Sequence, residues 1–122
     1  MVLIDANILL RILLRDNLEM MEAAINFVEE NDAFAHNEVI AEVVYVLRKH
    51  YKGEKIELCG EIMSIIEKQI VGVENKEAML LALQTFATCN LDFVDCLLYA
   101  YNQVDCTQVF TFDKALNKLI KG

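Results

Sequence analysis

The chain has 122 residues, a length that fits one domain able to bury a core without disulfide or metal staples. It is 56% hydrophobic and carries a formal net charge of −8, and it has no dense basic stripe, so its composition does not favour strong unaided affinity for nucleic acid. No apolar run approaches the ~20 residues that a membrane span requires. The N-terminus shows no basic region followed by a cleavage-site pattern, so we expect a cytoplasmic protein.

The hydrophobic pattern predicts strands and helices that alternate along the whole chain. Asn7, then Asp16 or Asn17, and then Asn37 are the predicted N-terminal caps of the first three helices. In chain order the predicted elements are a strand at 2–4, helices at 8–14 and 18–30, a strand at 33–35, helices at 37–50 and 54–67, a strand at 69–73, helices at 76–88 and 92–103, a strand at 108–112 and a helix at 113–120.

This order predicts an α/β fold: a central, mostly parallel sheet of four or five short strands with helices on both faces. The chain has no proline and four glycines, so no linker or low-complexity segment interrupts it. We therefore expect a single domain over residues 1–122. The high apolar fraction predicts a well-covered sheet and a surface for self-association.

The cysteines show no C-x-x-C pair and no nearby histidine cluster, which argues against a zinc site. In a reducing cytosol we interpret all of them as buried free thiols. They are Cys59, Cys89, Cys96 and Cys106.

Four carboxylates carry the functional prediction: Asp5, Glu42, Asp95 and Asp113. Each follows an apolar run or lies on a helix-like stretch that follows one. Because the carboxyl ends of parallel strands meet at one edge, where ligands bind, we expect these acids to converge. Crowded carboxylates repel unless a hard cation neutralises them, and their oxygens select Mg²⁺ or Mn²⁺. The pattern therefore predicts a metal-dependent reaction at phosphate.

Each acid also has a structural interpretation. Asp5 could simply end a strand, Asp92 fits a helix N-cap with Asp95 three residues later, and Asp113 could cap the last helix. Glu42 is different, because Ile40, Ala41, Val43 and Val44 flank it and glutamate is rarely buried unless paired. We expect Glu42 to be a partly buried ligand.

Four segments together resemble the motifs of PIN-domain ribonucleases. Residues 2–10 resemble the family's opening strand and first acid, and residues 40–47 resemble the helix with its second acid. Residues 91–100 resemble the third motif, in which the later aspartate is the ligand, and residues 111–113 resemble the fourth. The tract at residues 13–17 and the compact length are similar to VapC toxins of prokaryotic toxin–antitoxin pairs.

The resemblance implies a PIN-like domain that cleaves RNA with Mg²⁺ or Mn²⁺, forms a homodimer and is inhibited by a small cognate antitoxin. Asp5, Glu42 and Asp95 would bind the first ion, and Asp113 would bind a second ion or a metal-bound water. Asn7 and Thr111 would orient a ligand or contact phosphate, and Asp92 is a further possible ligand. We interpret His36 and His50 as structural, because neither has a nucleophile partner at suitable spacing.

Two alternatives differ in chemistry. A phosphoacceptor receiver domain has similar length and acidity but needs an aspartate at the end of a mid-chain strand, and residues 49–70 contain none. A regulatory module of nuclease ancestry would bind a partner and cleave nothing. Cleavage of RNA by the purified chain, with and without Mg²⁺, distinguishes all three.

Overall fold

Three short parallel strands form the sheet in the computed structural model, which describes residues 1–50 and 53–122. The strands are β1 (Val2–Leu3), β2 (Ala33–Ala35) and β3 (Gly72–Val73), and their order in the sheet is β1-β2-β3. In the register of the sheet, Val2 pairs with Ala33 and Phe34 pairs with Gly72. The parallel α/β prediction is confirmed, but the expected four or five strands are reduced to three in the described residues.

Helices make up most of the remaining described residues, and two of them lie in each connection between successive strands. None of them is long and apolar enough to cross a membrane within those residues. They are α1 (Ala6–Leu14), α2 (Leu18–Glu30), α3 (Asn37–His50), α4 (Lys55–Glu67), α5 (Lys76–Thr88), α6 (Phe93–Asp105) and α7 (Lys114–Lys121).

Side-chain caps set the first helix boundaries. The Ile8 amide donates to Asp5 Oδ1 at 3.2 Å, so Asp5 caps α1 and the prediction of Asn7 as its cap is wrong. Asn17 caps α2 by accepting from Met20 N at 3.1 Å, as one of the two predicted alternatives. The predicted cap Asn37 is instead the first residue of α3.

The predicted strand at 108–112 is not part of the sheet among the described residues. Side chains bind carbonyls in this segment and just before it: Asn117 Nδ2 donates to the Thr111 carbonyl at 2.8 Å, and Asn102 Nδ2 donates to the carbonyl of Thr107 at 2.9 Å. The alternation that favoured a strand is real, because Phe110 and Phe112 are 88% and 89% exposed while the residues between and before them are half-buried. The alternation therefore predicted which side chains face solvent, but no strand among the described residues pairs with this segment.

In the core, α5 and α6 pack against each other, and α5 also contacts β3. Ala78, Ala82 and Ala100 are fully buried, and such small residues let two helices approach closely. Thr85, which is also buried, donates its hydroxyl to the Leu81 carbonyl at 2.8 Å and so leaves no unmet polar group.

All of the cysteines are free thiols, as predicted, but they are not all buried. Cys59 and Cys96 are buried, Cys89 is half-buried and Cys106 is exposed. Burial raises the pKa of Cys59 to about 11 and that of Cys96 to about 12. Cys106 ends α6 in a left-handed conformation (φ 56°), a position at the surface.

Candidate active site

The carboxyl edge of the sheet collects polar side chains from all three strands. Asp5 lies two residues after β1, His36 directly follows β2 and Glu74 directly follows β3. The Asp5 carboxylate is exposed and its Oδ1 caps α1. An acid at this position is stabilised by the positive end of the helix dipole, so Asp5 has a structural role whatever else it binds.

His36, Glu38 and Glu74 form a donor cluster at this edge. One ligand atom from each lies within 4.8 Å of the others, and no second group of this kind occurs in residues 1–50 and 53–122. His36 Nδ1 is 3.7 Å from Glu74 Oε1, and the Asn37 amide donates to Glu74 Oε2 at 2.7 Å. Glu74 therefore anchors the N-terminus of α3, and its other oxygen stays close to the imidazole.

Sequence reasoning missed this cluster. It interpreted His36 as structural and gave Glu38 and Glu74 no role. Their position in the sequence could have indicated them, because His36 and Glu74 each directly follow a strand. Position after a strand was also the argument for Asp5. Imidazole and carboxylate together suit a divalent transition ion, whereas the hydrogen bond to Asn37 N also accounts for Glu74 without any ion.

A second group of acids gathers where α6 and α7 begin. Asp95 lies half-buried in the first turn of α6, and Asp113 caps α7 by accepting from Leu116 N at 2.8 Å. Burial, and then the charges of Asp113 and Asp92, raise the pKa of Asp95 above its ordinary value of 3.8. Asp92 occupies the N-cap position of α6 but makes no side-chain capping hydrogen bond.

These three carboxylates have no ion-pair partner among the described residues. Like charges that crowd together without a counter-cation fit the oxygen ligands that Mg²⁺ or Mn²⁺ prefers. Thr111 supports the arrangement, because its Oγ1 accepts from Asp113 N at 3.0 Å and fixes the turn that presents this carboxylate. The donor chemistry at the start of α6 and α7 therefore fits a hard divalent cation.

Glu42 is exposed, which corrects the expectation of partial burial. The buried face of α3 consists of Ile40, Val43, Val44 and Leu47, and helical geometry turns position 42 away from that face. The apolar neighbours in sequence were therefore not neighbours in space.

The four predicted acids do not approach one another as closely as the His36 cluster does, because no three of them bring donor atoms within 4.8 Å of one another in the described residues. Asp95 and Asp113 are close enough for their charges to interact, while Asp5 and Asn7 lie at the start of α1 with exposed side chains. The assignment of Asp5, Glu42, Asp95 and Asp113 as ligands stays a prediction.

Two cavities of similar size open on the surface. One of about 580 Å³ lies beside β3 and is lined by neither an aromatic side chain nor any of the four predicted acids. The other, of about 570 Å³, lies between α3 and the beginning of α6, and Asp92 and Asp95 form part of its wall. Only the second cavity adjoins the acids, so it is the one that bears on function.

The chain was compared with curated proteins, with solved structures and with models of protein families. No curated protein and no solved structure matches the chain. A family model described as the PIN domain matches residues 2–121, a span that includes Asp5, Glu42, Asp95 and Asp113. PIN domains are generally nucleases and usually bind divalent metals. The chain belongs to the PIN-domain family.

Proposed function

We propose that this protein is a Mg²⁺- or Mn²⁺-dependent endoribonuclease that hydrolyses RNA phosphodiester bonds. The observation that carries the proposal is the position of Asp95, which lines a cavity together with Asp92 and is close enough to Asp113 for the two charges to interact, while none of the three has an ion-pair partner among the described residues. A structural role alone would not favour this crowding, since the repulsion costs stability in the absence of a cation. Membership of a family of nucleases supplies the reaction class.

Asp5, Glu42 and Asp95 are the residues that would bind the ion, and Asp113 would bind a second ion or orient a metal-bound water. A divalent ion in such a site lowers the pKa of the attacking water and stabilises the negative charge that develops on phosphate. The protein orders the donors beforehand: Thr111 Oγ1 fixes the Asp113 turn, and the Asp5 carboxylate is held by the Ile8 amide. The Asn7 amide, exposed at the start of α1, would contact a phosphate oxygen.

The His36 cluster is the competing location for the ion, because it has the tightest donor geometry among the described residues. Binding of Mn²⁺, followed by its effect on water proton relaxation, distinguishes the two locations. Asp95→Asn should weaken binding by about 10-fold or more if the ion lies at α6, whereas Glu74→Gln should do so if it lies at the His36 cluster. Asp16→Asn is the control, since Asp16 is an exposed acid that pairs with Arg11 and lies in neither group.

Cleavage of a mixed-sequence RNA by the purified chain tests the function itself. We expect cleavage with Mg²⁺ or Mn²⁺, none in EDTA, and a loss of about 100-fold or more in Asp95→Asn, while Asp16→Asn stays at the wild-type rate. A chain that binds Mn²⁺ through Asp95 but cleaves no RNA would instead be the regulatory module that was the main alternative. Loss in Glu74→Gln alone would move the reaction to the His36 cluster.

We further propose that the chain is the toxin of a toxin–antitoxin pair and forms a homodimer. The support is the similarity of residues 13–17 to VapC toxins and the apolar surface, which includes the exposed Phe110 and Phe112. An arginine of a small antitoxin would compete with the metal for Asp5 or Asp95, because its planar fork matches a carboxylate. Saturating Mg²⁺ should then weaken the complex, and affinity that is indifferent to Mg²⁺ would contradict this competition. Light scattering that shows a monomer at micromolar concentration would contradict the dimer.

A further inference from the structure

The cavity between α3 and the beginning of α6 has a wall of unusual composition for an acidic protein. Ala41, Val44, Tyr45 and Arg48 line one side of it, at the spacing of a single helix face of α3. Asp92 and Asp95 lie on its α6 side. Its volume of about 570 Å³ falls in the range of roughly 300–1,000 Å³ that is typical of small-molecule sites.

Two cations form a positive wall of this cavity. Lys55 Nζ donates to the Cys89 carbonyl at 2.7 Å and lies 4.8 Å from the centroid of the Phe86 ring, so its position is fixed before any ligand arrives. Arg48 lines the same cavity. Within residues 1–50 and 53–122 neither cation has a carboxylate within 4.0 Å. Two cations that lack acidic partners, on a chain of net charge −8, favour an anionic ligand.

The rest of the wall is aromatic and apolar. Tyr45 is 61% exposed, which is a large exposure for an aromatic ring that lines a cavity. Phe86 and Phe93 also line the cavity, and their rings pack edge-to-face with centroids 5.8 Å apart. An exposed ring beside cations that have no carboxylate partner is the combination that binds a base and its phosphate in single-stranded nucleic acid, because every base has a stacking face.

We propose that this cavity is a nucleotide subsite for single-stranded RNA, with a base against Tyr45 and the apolar wall and a phosphate at Arg48 and Lys55. This inference rests on the proposed ribonuclease function, since it positions the strand beside Asp95. The net charge of −8 argues against strong binding of RNA by the protein surface as a whole, and this cavity would bind RNA without such a surface. Affinity for RNA comes from a local pair of cations and a ring, so a basic surface is unnecessary.

The test measures binding of a fluorescent eight-nucleotide RNA in EDTA over a series of salt concentrations, where metal-dependent cleavage cannot occur. Arg48→Gln should weaken binding and lower the slope of log affinity against log salt by about 0.7, the value for one phosphate contact on a single strand. Tyr45→Leu should weaken binding roughly 5- to 100-fold while it leaves the slope unchanged, since it removes stacking and no charge. Lys68→Gln is the matched control, because Lys68 is an exposed cation at the opposite end of α4 from Lys55.

Three competitors identify the ligand class: adenosine monophosphate, inorganic phosphate and a poly-glutamate peptide. The proposal requires that the nucleotide competes best and that Tyr45→Leu reduces this advantage. Equal competition by phosphate, or by poly-glutamate, with no effect of Tyr45→Leu would overturn it in favour of a general anion site or a protein surface.

Failure of this inference and failure of the proposed function give different results. If wild-type protein cleaves RNA with Mg²⁺ but Arg48→Gln and Tyr45→Leu bind the oligonucleotide like the Lys68→Gln control, the subsite is wrong and the ribonuclease stands. If the oligonucleotide binds with the predicted dependence on Arg48 and Tyr45 but no RNA is cleaved, the subsite stands and the ribonuclease is wrong.

Discussion

Asp5 offers the sharpest separation between a structural and a metal-binding role. Its Oδ1 accepts the Ile8 amide at 3.2 Å and so caps α1. Replacing such a cap by alanine costs about 1 kcal/mol, and losing the charge at the helix N-terminus costs roughly 0.3–1 kcal/mol more. In a chain of this length, 1 kcal/mol corresponds to roughly 3–5 °C in Tm. Asp5→Ala should therefore lower the Tm by about 4–10 °C in EDTA.

Asp5→Asn should behave differently, because asparagine keeps the accepting oxygen and caps helices as well as aspartate does. Only the charge is lost, so we expect the Tm to fall by about 1–5 °C. Both variants should lose cleavage by about 100-fold or more, because neither offers a charged ligand. The assay pairs thermal unfolding by circular dichroism in EDTA with RNA cleavage in Mg²⁺, well below the lowest Tm.

Asn17→Ala is the control for this comparison. Asn17 caps α2 as Asp5 caps α1, by accepting an amide at 3.1 Å, but it belongs to no group of acids. Its loss should lower the Tm by about 3–5 °C, which is the share of the Asp5→Ala effect that comes from the capping hydrogen bond, and should leave cleavage unchanged. Cleavage by Asp5→Asn within a few-fold of wild type would refute the metal role of Asp5. Equal destabilisation by Asp5→Asn and Asp5→Ala would refute the assignment of the hydrogen bond as the main structural contribution.

Three further outcomes follow from the structure. Asp95→Asn should raise the Tm in EDTA at pH 7. Burial and the Asp113 charge raise the pKa of the Asp95 carboxyl, so its ionisation opposes folding. The gain in Tm should therefore disappear as the pH falls through the raised pKa towards 3.8, where the carboxyl is protonated. A gain that persists unchanged at pH 3.5 in a thermal scan would contradict this sign. Iodoacetamide at pH 8 should modify the exposed Cys106 and leave Cys96 intact in the native protein, since burial raises the pKa of Cys96 to about 12; peptide mass mapping checks this, and equal labelling would contradict it. Phe112→Ser should change the Tm of the monomer by less than about 2 °C, because this ring is 89% exposed; a larger fall that depends on protein concentration would show that the ring is buried between copies.

The sequence predicted those features of the fold that depend on residues close together in the chain. The helix boundaries are close to those expected, since caps such as Asn17 act on the next turn of the same chain. The same reasoning failed at Asn7 because two residues in one turn could act as the cap, and Asp5 takes that position. The segment 108–112 shows the limit more clearly. Alternation set which side chains face outwards, but pairing requires a neighbouring strand that sequence spacing does not specify.

The proximity of two of the predicted acids could be expected from the sequence, whereas the exposure of Glu42 and the His36 cluster could not. Asp95 and Asp113 are brought close together because each begins a helix that packs against the other's element. Glu42 turned out exposed because neighbours in sequence lie on different sides of a helix. The His36 cluster joins positions whose proximity depends on the connections between strands, and Asn37 and Glu74, which meet there, are 37 positions apart.

Because of this distance along the chain, the donors of the His36 cluster come together only when this part of the sheet has folded. His36 and Glu38 follow β2 and Glu74 follows β3, so these donors meet only after the connection that contains α3 and α4 has closed. An ion bound at this edge binds the native state alone, and its binding free energy adds to the stability of the whole molecule. Metal supply in the cell would then set how long each copy survives proteolysis as well as whether it can react.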